Sequence, residues 1–358
     1  MNYFKDKEIS NELIKWFKKN KREMPWRSDK TPYRVWISEL MLQQTKVDQV
    51  IPFYNKWMNH FPTLSSLSKA SQDEILKLWE GLGYYSRARN IYKSSRIIDE
   101  KYNGIFPSNP SEIESLPGIG PYTKAAICSI AFNLNYAVLD GNVMRVLSRI
   151  YLYDKDISLS SSKKDLQKIA DRILPEGNAS NFNESIMELG ALICTPKKTD
   201  CIRCPIKKSC LAYKESVVLK YPFKAPKKKI PEITVGAAVI IYKNKILISQ
   251  RRPGQMLEGL WEFPGGKKED QESIQECIKR EIKEELDIDI IIDKHLVTVN
   301  HLYSHFKMKM HTYFVKIKKG MPKSMEGQNF EWISLRDIRN RPFSKADLKV
   351  IDALKNQM

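Results

Sequence analysis

The sequence predicts two regions of different structural class, an all-α region followed by an α+β domain. In residues 10–211, apolar side chains recur at three- and four-residue spacing, the period of helices that bury one face. Beyond residue 232 the pattern changes to short β-rich runs around one helical stretch, which is typical of an α+β domain. A length of 358 residues is consistent with two domains.

Prolines divide the first region into many short helices. The apolar spacing predicts helical segments over 13–17, 35–42, 75–82, 125–132 and 186–193. Proline breaks lie at four places, directly after Phe61, Phe106, Leu116 and Leu174. Because the residue before a proline is biased away from helical conformation, each break favours a helix boundary. We therefore predict one all-α region over residues 1–212.

The second region follows a linker rich in proline and lysine. Residues 213–232 show little periodicity and contain three successive lysines at 227–229. Beyond it the pattern predicts strands over 233–242 and 245–250, a helix over 273–286, and further strands over 296–299 and 311–316. We assign 213–232 to a basic linker and 233–358 to the α+β domain.

Composition excludes several classes of protein and favours an acidic partner. Hydrophobic residues make up 42% of the chain, which is enough for packed cores and excludes a mainly disordered or fibrous protein. No apolar run approaches the roughly 20 residues needed to cross a bilayer, and residues 1–10 resemble neither a secretory signal nor a transit peptide. We therefore expect a cytoplasmic protein without membrane spans. The net charge of +18 favours nucleic acid or an anionic membrane surface as a partner.

Four of the six cysteines lie close together in the sequence. Cys194, Cys201, Cys204 and Cys210 follow the spacing C-x6-C-x2-C-x5-C. In a reducing compartment, such a group predicts metal ligands rather than disulfides. Four thiolates suit either one [4Fe-4S] cluster or one zinc ion, and the spacing alone favours neither. Basic residues between the ligands would allow this loop to contact a phosphate backbone.

A glycine-containing segment between two predicted helices is a candidate phosphate-binding site. The sequence LPGIGPYT over 116–123 places Gly118 and Gly120 just before a helix. Glycines let the backbone come close to a ligand, and the N–H groups at a helix start can bind a phosphate. Any helix-turn-helix can contain such glycines, so the segment by itself predicts backbone contact and not base reading.

Two carboxylates are candidates for acid-base chemistry. Glu39 lies in WISELMLQQT over 36–45, with apolar residues on nearly every side of the helix. Most mid-helix glutamates are solvated, but a buried Glu39 would have a raised pKa and could act as a general acid. Asp140 follows an apolar stretch at the start of a predicted helix. Asp140 or Asn142 could cap this helix, and Asp140 could stabilise developing positive charge, and both can be true. A protonated glutamate beside an ionised aspartate suits cleavage of a glycosidic bond.

Together these segments resemble the endonuclease III superfamily of helix-hairpin-helix DNA glycosylases that carry an iron-sulfur cluster. Within it, WISELMLQQT (36–45), GLGYYSRARN (81–90) and LDGNV (139–143) resemble the MutY family of adenine DNA glycosylases, and the similarity covers nearly the full chain. The resemblance implies a [4Fe-4S] cluster rather than zinc on the four cysteines. It also implies base excision repair of double-stranded DNA, with adenine opposite 8-oxoguanine or guanine flipped out and removed. We expect a monomer.

The resemblance assigns roles to single residues. Glu39 matches the general acid that protonates the adenine, and Asp140 matches the carboxylate that stabilises the sugar cation or bonds to it transiently. Asn142 and Tyr122 match residues that position these groups. The presence of Glu39 and Asp140 argues against the alternative of a mismatch-binding module without catalysis.

Position 122 separates two kinds of glycosylase. Bifunctional relatives that cut the strand use a lysine there to form a Schiff base, whereas this chain has Tyr122. Lys124 is no substitute, because two residues along a helix amount to a turn of about 200°. We predict a monofunctional glycosylase and disfavour an endonuclease III-like lyase.

The C-terminal domain carries nearly the whole motif of a second family. WEFPGG (261–266), Glu272 and REIKEELDI (280–288) resemble the Nudix box, G-x5-E-x7-R-E-U-x-E-E-x-G-U. Its fixed positions are occupied by Gly266, Glu272, Arg280, Glu281, Glu284 and Glu285, and only Asp287 departs, where the closing glycine belongs. The three glutamates of the helix suit Mg²⁺ bound to a diphosphate. Aspartate adopts a left-handed turn less easily than glycine does.

Two functions for this domain stay open. MutY relatives use a Nudix-like domain here to recognise 8-oxoguanine, and we prefer this role. The alternative is a residual hydrolase of an oxidised nucleoside triphosphate, which would need Mg²⁺. The segment YSHF (303–306) resembles the family's Phe-Ser-His segment, which implies DNA contacts by Ser304 and His305. Gln44 and Tyr84 match elements that enter the base stack, although Tyr84 also suits core packing.

Overall fold

The structure, a computed structural model, describes residues 3–226 and 230–357, so the lysines at 227–229 of the predicted linker lie outside the described residues. The chain divides into two compact units. Unit 1 comprises Met1–Lys69 and Lys93–Lys227, and unit 2 comprises Ala70–Tyr92 and Lys228–Met358. Within the described residues, every helix is too short or too polar to cross a bilayer.

The described helices follow one another in this order: α1 Tyr3–Asn20, α2 Pro32–Leu42, α3 Val47–His60, α4 Leu64–Ser68, α5 Gln72–Trp79, α6 Ser86–Tyr102, α7 Pro110–Ser115, α8 Pro121–Ile130, α9 Gly141–Tyr151, α10 Ser160–Ile173, α11 Ala179–Leu192, α12 Leu211–Lys214, α13 Ile274–Leu286 and α14 Lys345–Lys355. The strands are β1 Glu232–Tyr242, β2 Lys245–Gln250, β3 Trp261–Glu262, β4 Gly265–Lys267, β5 Asp289–Leu302, β6 Lys307–Lys319 and β7 Phe330–Ser334. The predicted succession of an all-α region and an α+β domain is confirmed.

Proline sets the start of several helices in unit 1. Pro32, Pro110 and Pro121 each occupy the first turn of a helix, where the missing N–H group would have no partner within the helix. The predicted segment over 75–82 is shorter in the structure, because α5 ends at Trp79 and the chain then turns. This turn takes positive φ values at Gly81, Gly83 and Tyr84.

The core of unit 1 fixes the helices that carry the candidate site. Its buried side chains include members of α1, α8, α9, α10 and α11, among them Leu13, Ala126, Leu147, Leu166 and Leu189. Burying such aliphatic side chains contributes about 1.5–3 kcal/mol each. This packing therefore holds α8, α9 and α11 together.

Unit 2 is a sheet with one helix against each face. Its strand order is β3-β2-β1-β6-β5, with β4 paired to β1 and β7 to β2, and only the β1–β6 pair is parallel among the described strands. Side chains of β1 alternate, since Ala237 and Val239 pack in the cluster that contains α14, whereas Ala238 and Ile240 pack in the cluster that contains α13. The predicted strands over 296–299 and 311–316 are the central parts of β5 and β6.

Residues 70–92 pack within unit 2. The backbone N–H of Phe343 donates to Oε1 of Glu80 at 2.8 Å, and the Tyr85 hydroxyl donates to the Phe343 carbonyl at 3.3 Å. Arg89 donates to the carbonyl of Glu258 at 3.0 Å. These bonds place the turn that carries Tyr84 beside the C-terminal sheet, although its sequence neighbours belong to the helical region.

The contact between β1 and α13 gives a first prediction. A Cβ at Gly236 would lie 2.6 Å from Cγ1 of Ile278, so Gly236→Ala should overpack this contact and destabilise the protein by about 1–3 kcal/mol. Ile278→Ala should cost about 2–5 kcal/mol by leaving a cavity. In the double variant the new methyl group enters that cavity. Its loss of unfolding free energy, measured with urea, should therefore be smaller than the sum of the losses of the two single variants. Additive losses would contradict the packing.

Candidate functional site

The predicted catalytic residues meet in one cavity of unit 1. This cavity has a volume of about 750 Å³ and is lined by Glu39, Gln44, Tyr122, Asp140 and Asn142 together with further residues of α2, α9 and α11. The five are spread over about a hundred positions of the sequence. Their convergence is therefore produced by the packing of the helices.

Glu39 lies in α2 and is only 5% exposed. Its Oε2 accepts a hydrogen bond of 2.8 Å from the hydroxyl of Tyr122, which lies in the first turn of α8. Burial, assisted by the negative charge of Asp140, raises the pKa of Glu39 to about 7, against the effect of the Tyr122 hydrogen bond. Glu39 can therefore carry a proton at neutral pH.

Asp140 is the N-cap of α9 and also faces the cavity. Its Oδ1 accepts from the backbone N–H of Val143 at 2.7 Å, and its Oδ2 accepts from the side-chain amide of Asn142 at 3.0 Å. Burial raises the pKa of Asp140, and these two donors oppose the rise because they stabilise the charged form. Both roles considered from the sequence, cap and cavity carboxylate, are compatible with this geometry.

The two carboxylates therefore have different environments. Glu39 has one hydrogen-bond donor and a buried position, whereas Asp140 lies at a helix N-terminus, where the backbone dipoles favour negative charge. Burial and the neighbouring carboxylates raise the pKa of Tyr122 well above its ordinary value, so its hydroxyl stays protonated and donates. Of the two acids, Glu39 is the one that holds the proton more readily.

Arg145 forms hydrogen bonds that hold the groups around Asp140 in place. Its Nη2 donates to Oδ1 of Asn142 at 2.8 Å and to the carbonyl of Gly190 at 2.7 Å. Its Nε donates to the carbonyl of Cys194 at 2.8 Å. One guanidinium in α9 thus fixes the amide that bonds Asp140, the end of α11 and the start of the cysteine loop.

A group of charged residues in the cavity was missed by the sequence analysis. Glu188 of α11 accepts from Arg22 and Arg27, with Nη2–Oε2 distances of 2.8 and 3.1 Å. Burial alone would raise the pKa of Glu188, but these hydrogen bonds outweigh it and lower the pKa to about 2. Glu184, one turn earlier, pairs with Arg27 at 3.2 Å and with Lys30.

The signal for this group was present in the sequence. Glu184 and Glu188 stand four residues apart in a helix whose neighbours are apolar, which places both on one face. The argument that singled out Glu39 applies to them equally. Their cationic partners, near residues 22–30, lie too far away in sequence to be paired by spacing.

The predicted phosphate-binding segment forms the turn between α7 and α8. Gly118 has φ of +81°, a conformation that favours glycine, and Gly120 is the N-cap of α8. The turn therefore presents the first backbone N–H groups of α8, as the sequence predicted. Tyr122 follows two residues after Gly120, so the turn also sets the position of the hydroxyl that bonds Glu39.

The four cysteines of the predicted metal site line one small cavity of unit 1. The rest of its wall includes the apolar side chains of Val146, Ile150, Leu189, Ile193 and Ile206. Burial, followed by the nearby thiols Cys194, Cys210 and Cys201, raises the pKa of Cys204 to about 12. In the described parts of the chain, no three Cys, His, Asp or Glu side chains are grouped so that they could hold one metal ion.

Two predicted DNA-contacting residues meet in unit 2. The hydroxyls of Tyr84 and Ser304 are 2.7 Å apart and hydrogen-bonded. Tyr84 is 41% exposed, so its position differs from ordinary core packing. Both residues and His305 line a cavity of about 470 Å³ between the 82–89 turn and the 301–306 loop.

The residues of the Nudix box are joined by hydrogen bonds in unit 2. Arg280 binds Glu272, Glu281 and Glu284, at 2.8, 3.0 and 3.1 Å. A Cβ at Gly266 would lie 2.2 Å from the carboxyl carbon of Glu281, so a side chain there would displace this carboxyl group. Asp287 takes φ of +51° as the C-cap of α13, which is the left-handed conformation that the sequence analysis had considered difficult for aspartate.

Glu285 is the member of the box that Arg280 does not bind. Its Oε2 is buried and has no hydrogen-bond partner among the described residues. Burial, followed by the negative charges of Glu262 and Glu281, raises the pKa of Glu285 to about 8. At neutral pH the protonated form of this carboxyl is therefore favoured.

Known proteins are similar to this chain in both units. The family model of the HhH-GPD superfamily of base excision DNA repair proteins matches residues 37–174, and that of the NUDIX domain matches 236–353. A solved structure of a thermostable thymine-DNA glycosylase is similar with a TM-score of 0.54 and 30% identity, over 59% of this chain and 98% of that one. A non-covalent endonuclease III–DNA complex gives a TM-score of 0.52 at 23% identity, over 60% of this chain and 98% of that one, and supports the fold alone.

The fold and the cavity thus define a DNA glycosylase of base excision repair. The adenine DNA glycosylase of Buchnera aphidicola (Acyrthosiphon pisum symbiont) is 35% identical over 351 residues, which are 98% of each protein. The human adenine DNA glycosylase is 30% identical over 404 residues, covering 96% of this chain and 73% of that protein. The chain belongs to the adenine DNA glycosylase family.

The contacts of Arg145 give a second prediction. Arg145→Gln should slow single-turnover base release on the order of 10²-fold, because the Asn142 amide loses its anchor and Asp140 shifts. Arg172→Gln, a change at an arginine of α10 that pairs with Asp6, serves as the control and should retain its rate. If Arg145 acts through Asn142, the double variant with Asn142→Ala should be no slower than Asn142→Ala alone. If the rate losses of the two single variants multiply in the double variant, Arg145 acts independently of Asn142.

Proposed function

We propose that this chain excises adenine from duplex DNA where adenine stands opposite 8-oxoguanine or guanine. The observation that carries the proposal is the pairing of Glu39 and Asp140 in one cavity, with environments that favour a proton on Glu39 and a charge on Asp140. Members of the family to which the chain belongs carry the name adenine DNA glycosylase.

The chemistry follows from this pair. An adenine flipped into the cavity would accept the proton of Glu39 on a ring nitrogen, and the glycosidic bond would break with its electron pair passing to the base. The sugar then carries positive charge, which the carboxylate of Asp140 stabilises. Water adds to the sugar carbon, and its proton returns to Glu39. Tyr122 holds the Glu39 carboxyl in place through their hydrogen bond.

Tyr122 supports a glycosylase that does not cut the strand. A Schiff base needs an amine within reach of the sugar carbon, and position 122 supplies a phenol instead. The ammonium group of Lys124 is bound to Glu114 at 2.7 Å. We therefore infer that the product is an abasic site in an intact strand.

The remaining predicted residues support binding of damaged duplex. The α7–α8 turn with Gly118 and Gly120 is suited to hold a phosphate at the start of α8. Gln44 follows α2, takes φ of +58° and lines the cavity of unit 1. Tyr84 and Ser304 line the cavity of unit 2. We assign Gln44 and Tyr84 to the base stack, and Ser304 and His305 to the base opposite adenine.

The four cysteines are proposed to hold a [4Fe-4S] cluster. A zinc ion needs four sulfurs about 2.3 Å from one point, whereas each thiolate of a cluster binds a different iron, so the ligands stand further apart. All four cysteines line one cavity, and the match to the HhH-GPD superfamily supports the cluster as the group that they hold. Bound there, the cluster would stabilise the basic loop between Cys194 and Cys210.

A single-turnover assay with Glu39→Gln tests the proposed function. The wild-type chain should release adenine from a duplex with adenine opposite 8-oxoguanine, and not from one with adenine opposite thymine. Glu39→Gln is nearly isosteric but has no proton to give, so it should bind this duplex and release no base. For the wild type, the rate should fall roughly tenfold per pH unit above about 7, because the deprotonated form of Glu39 then predominates.

Two controls accompany this assay. Borohydride should trap little protein on the DNA, since no Schiff base is expected. A Glu39→Gln variant that still turns over would remove Glu39 as the general acid. Equal release from both duplexes by the wild type would overturn the specificity for the opposite base.

A further prediction concerns the assignment of Ser304. Ser304→Ala removes one hydroxyl at the surface of unit 2 and leaves the cavity of unit 1 unchanged. It should reduce the preference for 8-oxoguanine over guanine opposite adenine by about tenfold. One hydrogen bond between neutral groups contributes about 1.4 kcal/mol, which corresponds to this factor. Release from the guanine duplex should stay near the wild-type rate. An unchanged preference would exclude Ser304 from reading the lesion.

A further inference from the structure

Arg149 is a buried arginine whose partners come from two separate segments of unit 1. It lies in α9, one turn beyond Arg145, and is only 1% exposed. Its guanidinium donates to the carbonyls of Cys194, Thr195 and Pro196 at 3.2, 2.8 and 3.3 Å. These three residues begin the loop that carries the proposed cluster.

The same guanidinium holds the segment with which unit 1 ends. Its Nε donates to the carbonyl of Val218 at 3.1 Å and to that of Tyr221 at 2.9 Å. Two more hydrogen bonds hold the residues that follow. The backbone N–H of Ile157 donates to the Phe223 carbonyl at 3.2 Å, and the backbone N–H of Ala225 donates to Oδ2 of Asp156 at 3.3 Å. We call residues 218–226 the exit segment.

Among the residues that the structure describes, no carboxylate is bonded to Arg149. All its carbonyl acceptors are neutral, and its one further acceptor in the described residues is the sulfur of Cys194, at 3.2 Å. Arg145 places a second buried cation one turn away. A buried charge without a counter-charge strongly destabilises a fold, so an anion is required at this point.

The cysteine cavity is where that anion would lie. Arg149 lines the cavity together with all four thiols. Four thiolates on a [4Fe-4S] core carry net negative charge, whereas protonated thiols carry none. The guanidinium is always charged and has five donors, so it can face the sulfur and five carbonyls at once.

From these contacts we infer that Arg149 is the counter-ion of the metal-bound thiolates and that metal occupancy thereby holds the exit segment against unit 1. The inference rests on the cluster proposed above. Without metal, Arg149 would be a buried cation without an anion, and the carbonyl bonds that it makes to Val218 and Tyr221 would be lost with its position.

Two substitutions separate the two roles of Arg149. Arg149→Lys keeps the charge near Cys194 but offers one ammonium group, which cannot reach both the loop and the exit segment. Arg149→Met removes charge and donors together. Arg172→Lys is the matched control, because that arginine of unit 1 has a carboxylate partner, Asp6, at 2.8 Å. All proteins are full-length and purified without oxygen.

Iron and sulfide content, the reduction potential of the cluster and trypsin cleavage are measured on each protein. Arg149→Met should lose most of its iron or, where iron is retained, show a more negative potential, because the nearby cation no longer favours the reduced form. Arg149→Lys should keep its iron, yet be cut at Lys220 and Lys224 roughly tenfold faster than wild type, as local opening becomes easier. Cleavage at Lys207 and Lys208, inside the cysteine loop, should stay slow. Chelation of iron from the wild type should accelerate cleavage of the exit segment as well.

The outcomes separate failure of this inference from failure of the cluster. Wild-type protein that never carries iron would overturn the cluster and, with it, the inference. Iron-loaded wild type together with an Arg149→Met variant of unchanged iron content and potential would overturn the counter-ion role alone. Iron-loaded Arg149→Lys cut at the wild-type rate would overturn the docking of the exit segment. The control Arg172→Lys should match the wild type in all three measurements.

Discussion

The hydrogen bond between Tyr122 and Glu39 joins the two helices on which the candidate chemistry depends. It requires that α2 and α8 meet with a glutamate and a tyrosine facing each other away from water, and the apolar packing of α2 satisfies this requirement. The same burial that makes the bond strong also raises the pKa of Glu39. The position of the acid and its protonation thus have one physical cause.

Buried charged and polar groups recur in unit 1, and three arginines make several of their contacts. Arg27 meets Glu184 and Glu188, Arg145 meets Asn142 beside Asp140, and Arg149 meets the sulfur of Cys194. A guanidinium offers five donors in a fixed planar fork, against three on a lysine ammonium, so it can join acceptors from separate segments. These residues therefore connect the cavity, the end of α11 and the cysteine loop into one network of fixed polar contacts. Each contact also restrains a backbone segment, so the site and the fold stabilise each other.

How much could be predicted from sequence depended on whether the signal was local. The helices, the strands around α13 and the buried Glu39 follow from patterns within a few residues, and so does the cap at Asp140. The salt bridges of Glu184 and Glu188 were missed, because their partners lie about 160 residues earlier. The packing of residues 70–92 in unit 2 was missed for the same reason, since its bonds to Phe343 and Glu258 carry no sequence period.

The intact Nudix box has a structural explanation that needs no hydrolysis. Arg280 is bound by three of its glutamates, and a side chain at position 266 would displace the Glu281 carboxyl group from this arrangement. Removing Glu272, Glu281 or Glu284 would take an acceptor from Arg280, so stability constrains these positions. Asp287 belongs to the same argument, because it ends α13 in a left-handed turn and accepts from Lys283 at 2.7 Å. An unpaired oxygen of Glu285 is the one polar group of the box that this network does not satisfy among the described residues. Most of the box thus helps to hold α13 against strand β4 and the sheet.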